Sequence, residues 1–348
     1  MEEYLSLLDQ LIATPSFSRE EDGTAMLLHH FLESKHIKQV HRERNNVWAY
    51  CATFDSSKPT LLLNSHHDTV RPSSSYTRNP FTPSHEHGRI YGLGSNDAGG
   101  SLVSLIATFC RLYEESLPVN LLLALSAEEE ITGENGIRHL LPLLPKIDMG
   151  IVGEPTGMDV AVGERGLVVL DGIATGVRGH AAHNEGTNAL YIALDDIIRL
   201  KNYRFEKESP LLGPVKITTT QIKAGSQHNV IPDECHFVVD VRTTDAYSNE
   251  ETVEILQSIL NSTITPRSTR IRASAISQTH PLVKTAKEMG IHCFVSPTTS
   301  DMSQMSFPTI KMGPGDSARS HRADEWIEES EIAHAIDTYI KFIRNIQL

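Results

Sequence analysis

Apolar residues recur at helical spacing at the start of the chain, where Tyr4, Leu7, Leu8, Leu11 and Ile12 precede Thr14-Pro15. That spacing predicts a short amphipathic helix ended by the proline. Ser18, followed three residues later by Glu21, forms a candidate capping box for a second helix carrying Met26, Leu27, His30 and Phe31. The texture then changes to short continuous apolar runs at residues 47–51, 60–63, 119–125 and 149–152. Runs of this kind suit strands buried on both faces. Helix-length segments at residues 98–115 and 135–144 separate them, and the alternation predicts an α/β sheet with helices on both faces.

From residue 166 to residue 275 the order differs. A strand-like stretch at 167–177 is followed by a helical one at 189–201, strands near 215–223 and 236–242, and a helix at 250–260. This β-α-β-β-α-β order predicts a separate α+β unit of ferredoxin-like layout. Candidate helices at 281–289 and 329–343, around a Gly313-Pro314-Gly315-Asp316 loop, return to the first texture. Residues 1–165 and 276–348 are therefore expected to form one domain, interrupted by a second at 166–275. No internal repeat or low-complexity tract is present in the sequence.

A length of 348 residues suits two such domains, and the formal net charge of −13 opposes broad contact with phosphate backbones or anionic lipid. Neither nucleic acid nor membrane is expected as a partner. The apolar runs stop far short of the roughly 20 residues that span a bilayer. The opening Met-Glu-Glu-Tyr lacks the basic region of a signal peptide, so a cytoplasmic location is expected. Cys51, Cys110, Cys235 and Cys293 are dispersed and form no Cys-x-x-Cys pair, so reduced thiols are expected.

Candidate chemistry collects where predicted strands stop. Residues 61–65 run into His66-His67-Asp68, residues 121–127 into Glu128-Glu129-Glu130, and Ile151-Val152-Gly153 into Glu154, while Asp97 precedes a helix. Each has an ordinary reading alone: a polar strand end, acids near a helix start, a helix N-cap. Together they matter more, because the carboxyl ends of strands in an open α/β sheet share one edge, where ligands bind. Carboxylates gathered there repel one another unless a cation lies among them, and mixed imidazole and carboxylate donors suit zinc, cobalt or manganese. Zinc is the expected ion.

His66-His67-Asp68-Thr69-Val70, the loop from Gly92 to Asp97, Ser126-Ala127-Glu128-Glu129-Glu130, Gly153-Glu154-Pro155 and Ser320-His321 resemble, in order, the motifs of the M20 metallopeptidase family. That family includes acetylornithine deacetylase, succinyl-diaminopimelate desuccinylase, aminoacylase and glutamate carboxypeptidase. The resemblance covers nearly the whole chain. It implies that 1–165 and 276–348 form a catalytic domain and 166–275 a lid that also pairs two chains into a homodimer. It further implies two divalent ions bridged by Asp97, with His66 and Glu154 completing one site and Glu130 and His321 the other. Glu129 would be the general base, and Asp68 would bond the second nitrogen of His66 and fix its tautomer. The extra acid Glu128 leaves a one-residue ambiguity, and His67 could compete with His66. Where the family usually has Asp-Met-Lys-Gly, this chain has Asp97-Ala98-Gly99-Gly100.

Within the insertion, the stretch from Gly176 to His183 resembles the lid motif whose histidine, here His180, stabilises the oxyanion. The segments holding Asn229 and Arg242 resemble those that bind the substrate carboxylate, for which a guanidinium offers a two-pronged hydrogen bond. The implied reaction is hydrolysis of a linear amide: Glu129 takes a proton from water and returns it to the departing amine, with no covalent intermediate. Ser126 and Ser320 are accordingly read as structural. The motif wording looks most like the short acetylornithine deacetylase type of arginine biosynthesis, with a small N-acyl amino acid as substrate. Glu164, beside Arg165, is a candidate attractor for the substrate's ammonium. An N-succinyl-ornithine or succinyl-diaminopimelate desuccinylase, a dipeptidase or aminopeptidase, and a non-catalytic metal-dependent binding protein are the alternatives.

Overall fold

A computed structural model describes residues 1–183 and 185–348. The chain divides into two compact units. Met1–Gly163, Ile276–Ser296 and Ser300–Leu348 form the first, and Glu164–Ala275 with Pro297–Thr299 the second.

In the first unit the apolar runs become the strands Asn46–Tyr50, Thr60–His66, Asn120–Ser126 and Met149–Val152. Side by side in the sheet lie Val40–Glu43, Asn46–Tyr50, Asn120–Ser126, Thr60–His66, Met149–Val152, Thr309–Lys311 and Val160–Glu164, in that order. Thr60–His66 runs parallel to both of its neighbours, and Thr309–Lys311 runs parallel to Met149–Val152. Alternation along Thr60–His66 sends Leu62 to one face, against Trp48, Leu122, Ala124, Ile137 and Leu140. The other face carries the helix Gly100–Leu112, buried along almost its whole length and packed in turn on the helix Glu329–Arg344. A central sheet with both faces covered needs continuous apolar strands, which is why these runs do not alternate.

Two expectations change on contact with the structure. Ser18 does not cap the second helix, Asp22–Ser34; its hydroxyl donates instead to Asp68 Oδ2 at 2.7 Å. Glu21, the other half of the expected box, accepts from the backbone N–H groups of Arg19 and Glu128 and from the Asn45 amide. Long-range polar partners thus displaced a local motif. The helix expected at 135–144 shrinks to Ile137–Leu140 and a 3-10 turn at Leu141–Leu143, because Pro142 removes a backbone donor. The run of acids lies beyond the strand, as expected, but on a tight turn: Asn120–Ser126 ends before it, Glu128 adopts a left-handed φ of 55°, and Glu129–Ile131 is a 3-10 turn.

The second unit has strands Gly166–Thr175, Lys216–Ala224, Glu234–Thr243 and Thr263–Pro266, with helices Ala189–Asn202 and Asn249–Ser258 on one face. Spatial order is Lys216–Ala224, Glu234–Thr243, Gly166–Thr175, Thr263–Pro266, antiparallel throughout, which is the ferredoxin-like arrangement. Its core is built from Val168, Leu170, Phe237, Val239 and Val241 against Ala189, Ala193, Leu200 and Leu256. Burial alternates along Gly166–Thr175 and Glu234–Thr243, as a sheet covered on one side requires. Asn188 caps the first helix through the Leu190 N–H, and Ser248 with Glu251 forms a capping box for the second. Among the described residues, no helix is long and apolar enough to cross a membrane.

Candidate metal centre

Parallel strands bring their carboxyl ends to one edge of the sheet, and the chain places an acid or imidazole at or just beyond each. His66 is the last residue of its strand; Glu129 and Glu130 follow Asn120–Ser126 by a tight turn, and Glu154 follows Met149–Val152 by two residues. Asp97 lies in the turn Ser95–Gly99, with extended rather than helical dihedrals and a cis peptide bond to Ala98. It does not cap the helix that follows, whose N-cap is Gly99. Gly94, at a φ of +74°, lets the loop reverse, and a Cβ at Gly99 would stand 2.4 Å from the Gly94 carbonyl oxygen. The lysine common at position 99 in the resembling motif therefore has no room in this loop.

Around that edge, His66 Nε2 stands 3.3 Å from Asp97 Oδ1, 3.7 Å from Glu154 Oε1 and 4.0 Å from Glu129 Oε2. His321 Nε2 is 3.0 Å from Glu130 Oε2 and 3.6 Å from Asp97 Oδ2. Asp97 thus turns one oxygen toward each histidine. Single donor atoms from His66, Asp97 and Glu130, and from His66, Glu129 and Glu154, fall within 4.8 Å of one another. His67 points elsewhere: Nδ1 meets Thr24 Oγ1 at 2.9 Å and Nε2 meets the Asn45 carbonyl at 2.8 Å. Burial pushes the His67 imidazole down to about 4, so it is a neutral packing residue. Glu128 also faces away, accepting from the Asn135 backbone and side-chain amides.

The electrostatics of the cluster call for a cation. Burial, together with the charges of Glu154, Asp301 and Glu130, pushes the Glu129 carboxyl well above the usual carboxylate range despite the opposing pull of His66. Burial and the charges of Asp97 and Glu130 push Glu154 up to about 8, against His66 and Lys311. Burial presses His66 down, but Glu129, Asp68 and Asp97 outweigh it and hold the imidazole well above its ordinary value. The hydrogen bond to Glu130 comes first in raising His321 to about 9. Two imidazoles and several carboxylates of this kind take divalent cations as their natural counter-charge, and the residues fit that role.

Supporting groups hold the donors in place. The Asp68 carboxylate accepts from Glu129 N at 3.0 Å, Glu130 N at 3.2 Å and Ser18 Oγ. His66 Nδ1 meets the Asp68 backbone carbonyl at 3.0 Å and its carboxylate at 3.4 Å, so the contact anticipated from the sequence is made mainly through the main chain. Ser126 donates to Asp301 at 2.6 Å, and Ser320 accepts from Asn96, so both serines bridge loops. Asp301, Lys311 and Glu325 are buried groups that were not singled out from the sequence. Burial pushes Asp301 up to about 6. Lys311 offered a signal, a charge inside the apolar run Thr309-Ile310-Lys311-Met312; Asp301 and Glu325 offered none.

The remaining candidates lie in the second unit. His180 is exposed on the two-residue strand Gly179–His180, its ring 5.3 Å from that of His183, and it accepts from Ala182 N. Asn229 is exposed, and its carbonyl accepts from Ala181 N. Arg242 makes a two-pronged bond to Asp240 on its own strand at 2.9 and 3.1 Å. Glu164 is fully buried, which removes it as an attractor for a solvent-borne ammonium.

Comparison with known proteins agrees with this geometry. Acetylornithine deacetylase from Buchnera aphidicola subsp. Schizaphis graminum (strain Sg) is 25% identical over 372 aligned residues, covering 98% of this chain and 97% of that protein. Succinyl-diaminopimelate desuccinylase from Xanthomonas campestris pv. campestris (strain B100) is 29% identical over 72% of this chain and 70% of its own. Aminopeptidase PepT from Bacillus cereus ATCC 10987 superposes with a TM-score of 0.79 at 16% identity, over 99% of this chain and 98% of that one. The Bacillus subtilis YXEP protein, described as a dinuclear metal binding peptidase from the M20 family, gives 0.73 at 16% identity, over 98% and 97%. The sequence pattern of peptidase family M20/M25/M40 matches residues 62–345, a span that takes in every donor at the sheet edge, and the chain belongs to that family.

Proposed function

We propose that this metal-dependent amidohydrolase removes the N-acyl group from a small amino acid, with N-acetyl-L-ornithine as its substrate, in the cytoplasm. The observation that supports this choice most is the end-to-end match to an acetylornithine deacetylase, joined to the ring of donors at the sheet edge. His66, Asp97 and Glu154 would hold one divalent ion, and Asp97, Glu130 and His321 a second; zinc suits these donors, as do cobalt and manganese. Such ions, when bound, polarise a carbonyl and acidify water. Glu129 then accepts the proton from water and delivers it to the leaving amine, while Asp68 fixes the turn that carries Glu129 and Glu130. His180 would donate to the developing oxyanion, and Asn229 and Arg242 would hold the substrate carboxylate. Arg242 would have to exchange Asp240 for that carboxylate.

A desuccinylase is the second reading, favoured by the 29% identity to succinyl-diaminopimelate desuccinylase. A panel of N-acetyl-ornithine, N-succinyl-ornithine, N-succinyl-diaminopimelate and dipeptides, run before and after chelation, separates these readings. The acetyl compound is expected to give the highest kcat/KM. A higher value for a dianionic substrate would transfer the assignment, and a higher value for a dipeptide would make the enzyme a peptidase.

The same proposal includes a homodimer formed through the second unit. On the helix Ala189–Asn202, Tyr191, Leu194 and Ile198 are 65%, 41% and 55% exposed and follow one another at helical spacing, away from buried Ala189, Ala193 and Leu200. An apolar stripe of this kind gains most from contact with a second copy of itself. Light scattering after size exclusion should give a dimer for the parent chain and a monomer for the Tyr191→Glu, Ile198→Glu double variant. A monomeric parent would end this part of the proposal.

A further inference from the structure

Glu325 is only 2% exposed and stands behind the donors rather than among them. Its carboxylate accepts from three backbone N–H groups of the Asp97 loop: Gly94 at 3.0 Å, Asn96 at 2.8 Å and Asp97 itself at 2.8 Å. Its own carbonyl accepts from Gly92 N at 3.0 Å. The segment that carries Glu325 also carries His321, four residues earlier, and its neighbour Asp324 is fastened to Thr77 and to Arg78 N. Asn96 ties the same loop to the other side of His321, exchanging hydrogen bonds with the Asp316 backbone at 3.0 and 3.1 Å and donating to Ser320 Oγ. Two loops distant in sequence, each supplying one donor, are thus clasped through a single buried carboxylate.

We propose that Glu325 is a positioning residue of the metal centre: it sets the Asp97 loop against the His321 loop, and so fixes the affinity for the ion shared by Asp97, Glu130 and His321. The proposal rests on the two-ion reading of the site given above. A carboxylate with three N–H donors cannot be replaced by an amide without leaving a donor unmatched, because the amide nitrogen offers a proton where an acceptor is needed. Groups that orient ligands in this way typically contribute about 10–100-fold in metal affinity.

The test is a titration of the metal-free full-length protein with zinc against a competing chelator, for the parent and for Glu325→Gln. The parent is expected to take up two ions. The variant is expected to bind the ion shared by Asp97, Glu130 and His321 about 10–100-fold more weakly. Its kcat should fall at limiting zinc and recover in excess zinc, with KM unchanged, a pattern that a purely structural defect does not produce. Glu325→Asp, which keeps the charge on a shorter arm, should recover part of the loss. Two ions bound with parental affinity in Glu325→Gln would overturn the proposal. A parent that binds no zinc would overturn the two-ion reading itself, and the proposal with it. Should Glu325→Gln fail to fold, hydrogen exchange in the metal-free parent decides: slow exchange at the amides of Gly94, Asn96 and Asp97 supports the clasp, and rapid exchange overturns it.

Discussion

Glu129→Gln is expected to retain the parental metal content while kcat falls by about 10²–10⁴-fold, the usual contribution of a positioned general base. The amide keeps the size and the backbone anchoring of the original side chain, since the Glu129 N–H remains bonded to Asp68. What it loses is the ability to take a proton from water and return it to an amine. Burial and neighbouring acids already push the Glu129 carboxyl upward, so the group is suited to hold a proton between those two steps. Elemental analysis of the purified variant and steady-state kinetics on the acyl-amino-acid panel check both halves. Unchanged turnover would require a different mechanism rather than a neighbouring acid, because Glu128 is bound to Asn135.

Removal of the metal should have an effect as large, and Asp97→Ala should reproduce it without chelator. Asp97 turns one oxygen toward His66 and the other toward His321, so its loss deprives both halves of the cluster at once. Metal assistance supplies several kcal/mol of transition-state stabilisation, so turnover should drop by about three decades or more. Excess zinc should restore the chelated parent but not Asp97→Ala. Thermal unfolding gives a second measure. An ion present at about 100 times its Kd stabilises the fold by about 2.7 kcal/mol, so the chelated parent should melt earlier than the loaded one. Full activity in Asp97→Ala would show that no bridging donor is needed.

How much of this was legible beforehand follows from which signals are local. Runs such as Leu121-Leu122-Leu123-Ala124-Leu125 declare a doubly buried strand by composition alone, and the ferredoxin-like order of the insertion followed from its alternating texture. Strands of three or four residues, Thr309–Lys311 and Trp326–Glu328 among them, carry too few positions for a period to show. Residues at strand ends were legible as candidates because the sheet's own geometry gathers them. The groups behind them were not: Ser18 read as a helix cap, while its partner is Asp68, fifty residues away. Glu325 acts on a loop more than two hundred residues earlier, and no spacing in a sequence encodes such a partner.

The donor atoms named above belong to the first unit, and at its long interruption the chain leaves after Gly163 and resumes at Ile276, whose N–H is bonded to the Val162 carbonyl at 3.0 Å. That exit and that re-entry therefore meet side by side at the strand Val160–Glu164. A change in the length of the intervening segment leaves the gap between exit and re-entry as short as before.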